Sequence, residues 1–179
     1  MTARLQIHGG ELAGRRLRAP SGIRPTQGIV KEAIFNALAG RIAGARVMDL
    51  FAGSGALGLE ALSRGADHAT FVERDRRAAA ILRQNLEATG CLPRSTVIAA
   101  DAVKWAAGHP AEVRAAGVIL LDPPYGEPAF AAALHVLDRD ATGLVVAELS
   151  SRDALPALDR LRPVRDRRYG DARVVFLEV

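Results

Sequence analysis

The sequence predicts an α/β fold built on a mostly parallel, doubly wound sheet of seven strands. Three observations carry that prediction. Short apolar runs alternate with helical segments from residue 47 to residue 159, the pattern of repeated strand-helix units. The first run, Val47 to Phe51, leads through Gly53-Ser54-Gly55 into a segment of good helix formers, Ala56 to Ser63, so strand, glycine turn and helix follow one another. Two final runs flank Tyr169-Gly170-Asp171 and read as an antiparallel pair closing the sheet.

Taken in order, Leu5 to Leu17 reads as a glycine-interrupted hairpin carrying Arg15 and Arg16, and Val30 to Ile42 as an amphipathic helix leading into the sheet. Strands are expected at 47–51, 68–73, 95–100, 117–121, 143–149, 164–169 and 172–178. Helices are expected at 56–64, 76–89, 102–107, 128–138 and 153–159. No repeat or low-complexity linker interrupts the pattern. With 179 residues, 49% of them hydrophobic, the chain can bury one good core and has no room for a separate recognition domain of ordinary size. A single domain is expected, with a basic N-terminal part (1–46) and a core (47–179).

The glycine turn points to a nucleotide. Gly53 and Gly55 let the backbone turn tightly and let a ligand lie against bare peptide, and the helix behind them aims free N–H groups at it. The spacing Gly53-x-Gly55-x-x-Gly58 serves both dinucleotides and S-adenosylmethionine, and it also occurs as a plain strand-to-helix turn. Acids at successive strand ends narrow the choice. Glu73 closes the second apolar run, where a carboxylate can accept both hydroxyls of a ribose. Asp101 follows the third run and can accept from an adenine amino group, while Asp49 stands where it can meet the ammonium of an amino acid moiety. Three carboxylates suit adenosine joined to a cationic tail better than an anionic pyrophosphate. Each alone is equally a loop acid or a helix cap.

Asp122-Pro123-Pro124-Tyr125 follows the buried run Val118 to Leu121. Consecutive prolines fix two torsions and leave carbonyls without neighbouring N–H donors. Such a corner can present the Asp122 carboxylate and the Pro123 carbonyl to the two hydrogens of an exocyclic amine, with Tyr125 stacked on the base that carries it. Merely ending a strand is the plainer use of the same residues.

With these motifs the chain resembles the amino-methyltransferases of the Rossmann-like class I fold, and more closely the bacterial 16S ribosomal RNA guanine-N2 methyltransferase family of the RsmD type. The resemblance is carried by Gly14-Arg15-Arg16-Leu17, Arg24-Pro25-Thr26, Val30 to Asn36, Asp49 to Ala61, Glu73, Asp122 to Tyr125 and Tyr169-Gly170-Asp171. It implies S-adenosylmethionine as cofactor, held by Asp49, Phe51, Ala52, Gly53, Ser54, Gly55, Glu73, Arg74, Asp101 and Ala102. It also implies a catalytic set Asp122, Pro123, Pro124 and Tyr125, and RNA contacts through Arg4, Arg15, Arg16, Arg18, Arg24, Thr26 and Lys31. The substrate implied is 16S ribosomal RNA, in the small subunit or an assembly intermediate, methylated at guanine 966. Gly28-Ile29 stand where the family commonly has Asp-Arg. The alternatives are an adenine-N6 DNA methyltransferase sharing Asp122 to Tyr125, a non-catalytic RNA-binding or assembly factor, and a nicotinamide dehydrogenase, which would leave Asp122 to Tyr125 without a task.

Charge agrees with an RNA partner. Residues 1–46 carry eight Arg or Lys against Glu11 and Glu32, while the remainder carries sixteen basic against eighteen acidic residues. The positive excess therefore lies in the N-terminal part, where polyanion contacts are expected. Of the basic residues only Lys31 and Lys104 are lysines, and arginine forks suit phosphate, although a general arginine bias explains the choice equally well. A second basic stretch, Arg160 to Arg168, is either a rim for the same partner or a solvated run. The lone Cys91 excludes an internal disulfide and a cysteine-rich zinc site, and methyl transfer to an amine requires no metal. No run has transmembrane length and the start lacks a signal-peptide core, so a cytoplasmic protein is expected, with a monomer as the default.

Overall fold

The computed structural model describes residues 5–19, 28–124 and 128–179. Strands β1 (Arg46–Leu50), β2 (His68–Val72), β3 (Ser95–Ile98), β4 (Val118–Leu121), β5 (Leu144–Ser150), β6 (Arg162–Tyr169) and β7 (Ala172–Glu178) form one sheet in the order β3-β2-β1-β4-β5-β7-β6. The first five run parallel, and β7 is antiparallel to both β5 and β6. The reversed strand thus lies one position inside the sheet, and the edge strand β6 points the same way as β1 to β5.

Side chains alternate along each strand, and helices cover both faces. Val47, Phe71, Leu120, Val146 and Phe176 belong to a core shared with α1 (Gly28–Ala37), α2 (Ala56–Ser63) and α3 (Arg76–Thr89). Met48, Leu50, Ile119, Leu121, Val145 and Leu177 face the other way, toward α4 (Ala102–Gly108), α5 (Pro110–Ala115) and α6 (Ala129–Asp140). The chain winds outward through β1, β2 and β3, then crosses back to place β4 beside β1. The crevice beyond the carboxyl ends of β1 and β4 is therefore the topological switch point, where α/β sheets bind ligands. Among the described residues no helix is long and apolar enough to cross a membrane.

The N-terminal hairpin is a narrow ribbon with a single bridge, Gln6 to Arg16, flanked by Ile7 N–H to Arg15 O (2.9 Å) and Leu17 N–H to Leu5 O (2.9 Å). Ile7 and Leu17 anchor it in the first core.

Three expectations need correction. The first helix stops at Ala37 rather than Ile42, because the chain turns at Gly40, whose φ is +83°. No helix forms over 153–159: Pro156 falls in its interior, where it would remove a helical hydrogen bond and clash with the preceding turn. Leu155 and Leu158 pack against the second core from an irregular segment instead. Conversely, α5 begins at Pro110, a residue suited to a first helical turn, in a stretch read as a connection.

Candidate active site

Strand register brings the acids together. Leu50 pairs with Val72 on one side and with Leu121 on the other. One step beyond, Phe51, Glu73 and Asp122 lie abreast at the carboxyl ends of three adjacent strands. Asp49, one residue inside β1, is 1% exposed and accepts the Gly58 N–H at 2.9 Å. Burial raises its pKa to about 7; the Gly58 N–H opposes that rise, while the nearby Asp122 and Glu73 carboxylates add to it. A buried acid whose charged neighbours are acids is a place where a cation is missing.

The turn between β1 and α2 is built for close approach. Phe51 has φ 68°, a strained value for an aromatic residue, and Gly53 and Gly55 follow at +53° and +81°. A Cβ on Gly53 would meet open space, whereas one on Gly55 would strike Leu82 at 2.2 Å. The first glycine therefore exposes its peptide toward the crevice, and the second lets the turn rest on α3. Gly58 has a packing role, since a Cβ there would enter the Phe71 ring. Ala52 is buried, and its N–H donates to Val72 O at 3.0 Å.

Glu73 braces this turn. Its two carboxylate oxygens accept the Gly53 N–H (2.7 Å) and the Asp75 N–H (2.7 Å). Each oxygen retains a lone pair for a hydroxyl. Asp101 caps α4 by accepting the Lys104 N–H at 3.0 Å, beside the buried Ala102. Arg74 lies exposed next to Glu73. Asp122 is half-buried, Pro123 buried and Pro124 exposed, so the rigid corner presents its acid at the crevice mouth. Tyr125, Arg4, Arg24 and Thr26 lie outside the described residues.

The basic residues divide. Arg15, Arg16 and Arg18 are exposed on the ribbon, and the Arg18 guanidinium donates to Gln84. Lys31 does not join them, which corrects its reading as an RNA contact. It is 1% exposed, its Nζ lies 3.0 Å from Glu60 Oε2, and it donates to Gln6 O at 2.5 Å. The sequence held the signal: Lys31 falls on the stripe of Ile34, Phe35, Leu38 and Ile42 at helical spacing. At the positions of the family's Asp-Arg pair, a Cβ on Gly28 would press on the His8 ring at 2.9 Å, and Ile29 is 72% exposed.

Two residues were missed. Glu60, fully buried, accepts N–H groups from His8 (2.9 Å) and Gly9 (2.7 Å) and pairs with both Lys31 and Arg64. It docks the ribbon on α2, helped by Ser63, whose Oγ accepts the Leu12 N–H. Asn85, also buried, accepts the Arg18 N–H and donates to Arg18 O and to Ser54 O, each at 2.9 Å. One amide thus joins the basic ribbon to the glycine turn. Its signal was a polar residue on the stripe of Ala78, Ala79, Leu82 and Leu86.

The donor set fits a cationic, hydroxyl-bearing nucleoside: carboxylates for an ammonium and a ribose, and bare peptide at Gly53. Comparisons with known proteins point the same way. A family model described as "Conserved hypothetical protein 95" matches residues 5–178. The Bacillus subtilis protein YlbH, whose name describes an rRNA methyltransferase, is 40% identical over 160 residues, covering 85% of this chain and 86% of that one. The ribosomal RNA small subunit methyltransferase D of Escherichia coli K12 is 35% identical over 165 residues, covering 88% and 80%. A solved structure of the Escherichia coli methyltransferase yhhF superposes with a TM-score of 0.85 at 30% identity, over 97% of each chain.

Proposed function

This chain belongs to the conserved hypothetical protein 95 family, the RsmD family of S-adenosylmethionine-dependent methyltransferases, and on that premise we propose that it methylates the exocyclic N2 of a guanine in 16S ribosomal RNA, guanine 966 by family resemblance. In this reading the chain is one methyltransferase domain acting as a monomer on the small subunit or its assembly intermediate. The basic N-terminal part, residues 1–46, contributes the RNA contacts through its exposed ribbon arginines, and residues 47–179 form the catalytic core. The observation that carries it is the meeting of Asp49, Glu73 and Asp122 at the switch point beside the Gly53 turn.

S-adenosylmethionine supplies an electrophilic methyl group on a sulfonium. Asp49 would hold the amino acid ammonium, Glu73 the ribose hydroxyls, and Asp101 with Ala102 the adenine. The guanine N2 lone pair is delocalised into the ring and is a poor nucleophile. Asp122 and the Pro123 carbonyl accept its two hydrogens, which holds the nitrogen in the geometry where the lone pair is free and stabilises the positive charge developing on it. The prolines keep both acceptors fixed while this happens. Tyr125 stacks on the base, which must be unpaired or flipped to reach it.

The test is transfer of labelled methyl from S-adenosylmethionine to unmethylated small subunits, naked ribosomal RNA and DNA in parallel, with the product nucleoside identified by mass spectrometry. N2-methylguanosine in RNA is the expected product. Methyladenine in DNA, or no transfer by protein that binds the cofactor, overturns the reading.

A further inference from the structure

The edge strand β6 differs from every other strand of the sheet. Residues 162–168 are all exposed, on both faces, and β7 is the strand it pairs with. The segment before it, 153–159, is irregular and leaves those faces bare. Along this strip stand Arg162, Arg165, Arg167 and Arg168, with Asp166 as the one acid. Both Asp166 oxygens are taken by Arg173 across the ladder, at 3.0 and 2.6 Å. The one acid on the strand is therefore paired with an arginine of β7, and Arg162 is spent on the Leu158, Asp159 and Leu161 carbonyls, which leaves Arg165 and Arg167 exposed on the Phe176 face and Arg168 exposed on the other. Arg165 is positioned as well as charged: its guanidinium carbon lies over the Phe176 ring, 5.8 Å from its centre.

The location matters. Because β7 reverses and β6 reverses again, β6 runs parallel to β4 and ends on the same side of the sheet as Asp122. Three strand spacings separate them, about 14 Å. Arg167, Arg168 and Tyr169 occupy that end.

Resting on the RNA reading above, we propose that β6 is a phosphate-binding edge that engages the RNA backbone flanking the target nucleotide. It makes a second arm, opposite the ribbon that carries Arg15, Arg16 and Arg18: the ribbon docks on α2 and α3, beyond β1, whereas β6 lies beyond β4 and β5. RNA gripped at both sides presents its intervening, unpaired nucleotide to the crevice between them. An arginine-rich sheet edge also repels a second copy of itself, which guards the open edge against strand pairing.

The experiment replaces Arg165, Arg167 and Arg168 together by Gln, and separately by Lys, and measures affinity for a 16S RNA fragment across a salt series, alongside Tm and S-adenosylmethionine affinity. The Gln triple is expected to flatten the slope of log affinity against log salt by roughly two units, from about 0.7–0.9 per lost phosphate contact, with Tm and cofactor affinity unchanged. The Lys triple is expected to keep the slope. An unchanged slope in the Gln triple, while Arg15→Gln/Arg16→Gln alters it, overturns the β6 arm and leaves the RNA reading standing. Loss of binding in both triples with a fall in Tm marks a packing role and also overturns it. No salt-dependent RNA binding by the unaltered protein removes the RNA reading itself.

Discussion

Two buried carboxylates, Asp49 near the end of β1 and Glu60 within α2, flank the glycine turn between them, and they are held in opposite ways. Glu60 is fully buried and has two cations and two N–H donors around it; burial works against its charge, but the His8 N–H and the Lys31 and Arg64 charges outweigh burial and keep its carboxyl below the usual range. Asp49 has nearly the same burial, a single N–H donor, and two acids for neighbours, and burial pushes it up to about 7. The first is a finished joint, complete within the chain. The second has no cation beside it within the described chain, which suits the proposed ammonium of the cofactor. The same residue chemistry serves architecture at Glu60 and, in the proposed reading, recognition at Asp49, and the partner set distinguishes them.

The largest effect is expected at the open end. Asp122→Ala should lower turnover by at least ~10³-fold, about 4 kcal/mol of transition-state stabilisation, while S-adenosylmethionine affinity by calorimetry changes far less. Residual turnover with cofactor binding lost would place Asp122 in the cofactor's site instead. At the closed end, Lys31→Met should destabilise the fold by about 3 kcal/mol, because it leaves a buried carboxylate short of one cation, and denaturant unfolding checks it; a variant as stable as the parent would make the pair dispensable. Glu73→Ala should weaken cofactor binding by roughly 1–3 kcal/mol, through stranded ribose hydroxyls and a loosened Gly53. Unchanged affinity would remove Glu73 from the site.

The finest test of the comparison is pH. Asp49 keeps its proton longer in the folded protein than in the unfolded chain, so its contribution to stability falls as pH rises toward and through 7. From pH 6 to pH 8 the cofactor-free protein should lose about 1 kcal/mol from this group, a loss absent in Asp49→Asn. Cofactor affinity should move oppositely, rising with pH up to about 7 and levelling above it. A flat stability profile in which the parent and Asp49→Asn coincide would count against the open-end picture.

Much of this was legible in the sequence because it is local. Apolar runs of strand length and the Gly53-Ser54-Gly55 turn made β1 to β5 legible, and the acids in or just after β1 to β4, Asp49, Glu73, Asp101 and Asp122, line up along one sheet edge, since neighbouring parallel strands end together. What was not legible depends on partners far along the chain. Glu60 finds Lys31 and the His8 and Gly9 amides, and Asn85 finds Arg18 and Ser54, across tens of residues that no periodicity connects. Lys31 was misassigned for that reason: its charge was counted with the ribbon's arginines, while its place on the apolar stripe foretold burial. The helix expected over 153–159 failed on a local rule, the interior Pro156, which the apolar content of the segment obscured.

Asn85 carries a consequence of its own. A single planar amide bonded to Arg18 and to Ser54 cannot follow one without straining the other, so the conformations of the ribbon and of the glycine turn form one coupled equilibrium. Such coupling is reciprocal. In the proposed reading, whatever factor RNA on the ribbon imposes on cofactor affinity at the turn, cofactor imposes on RNA affinity, so spent cofactor and methylated product would influence each other's departure.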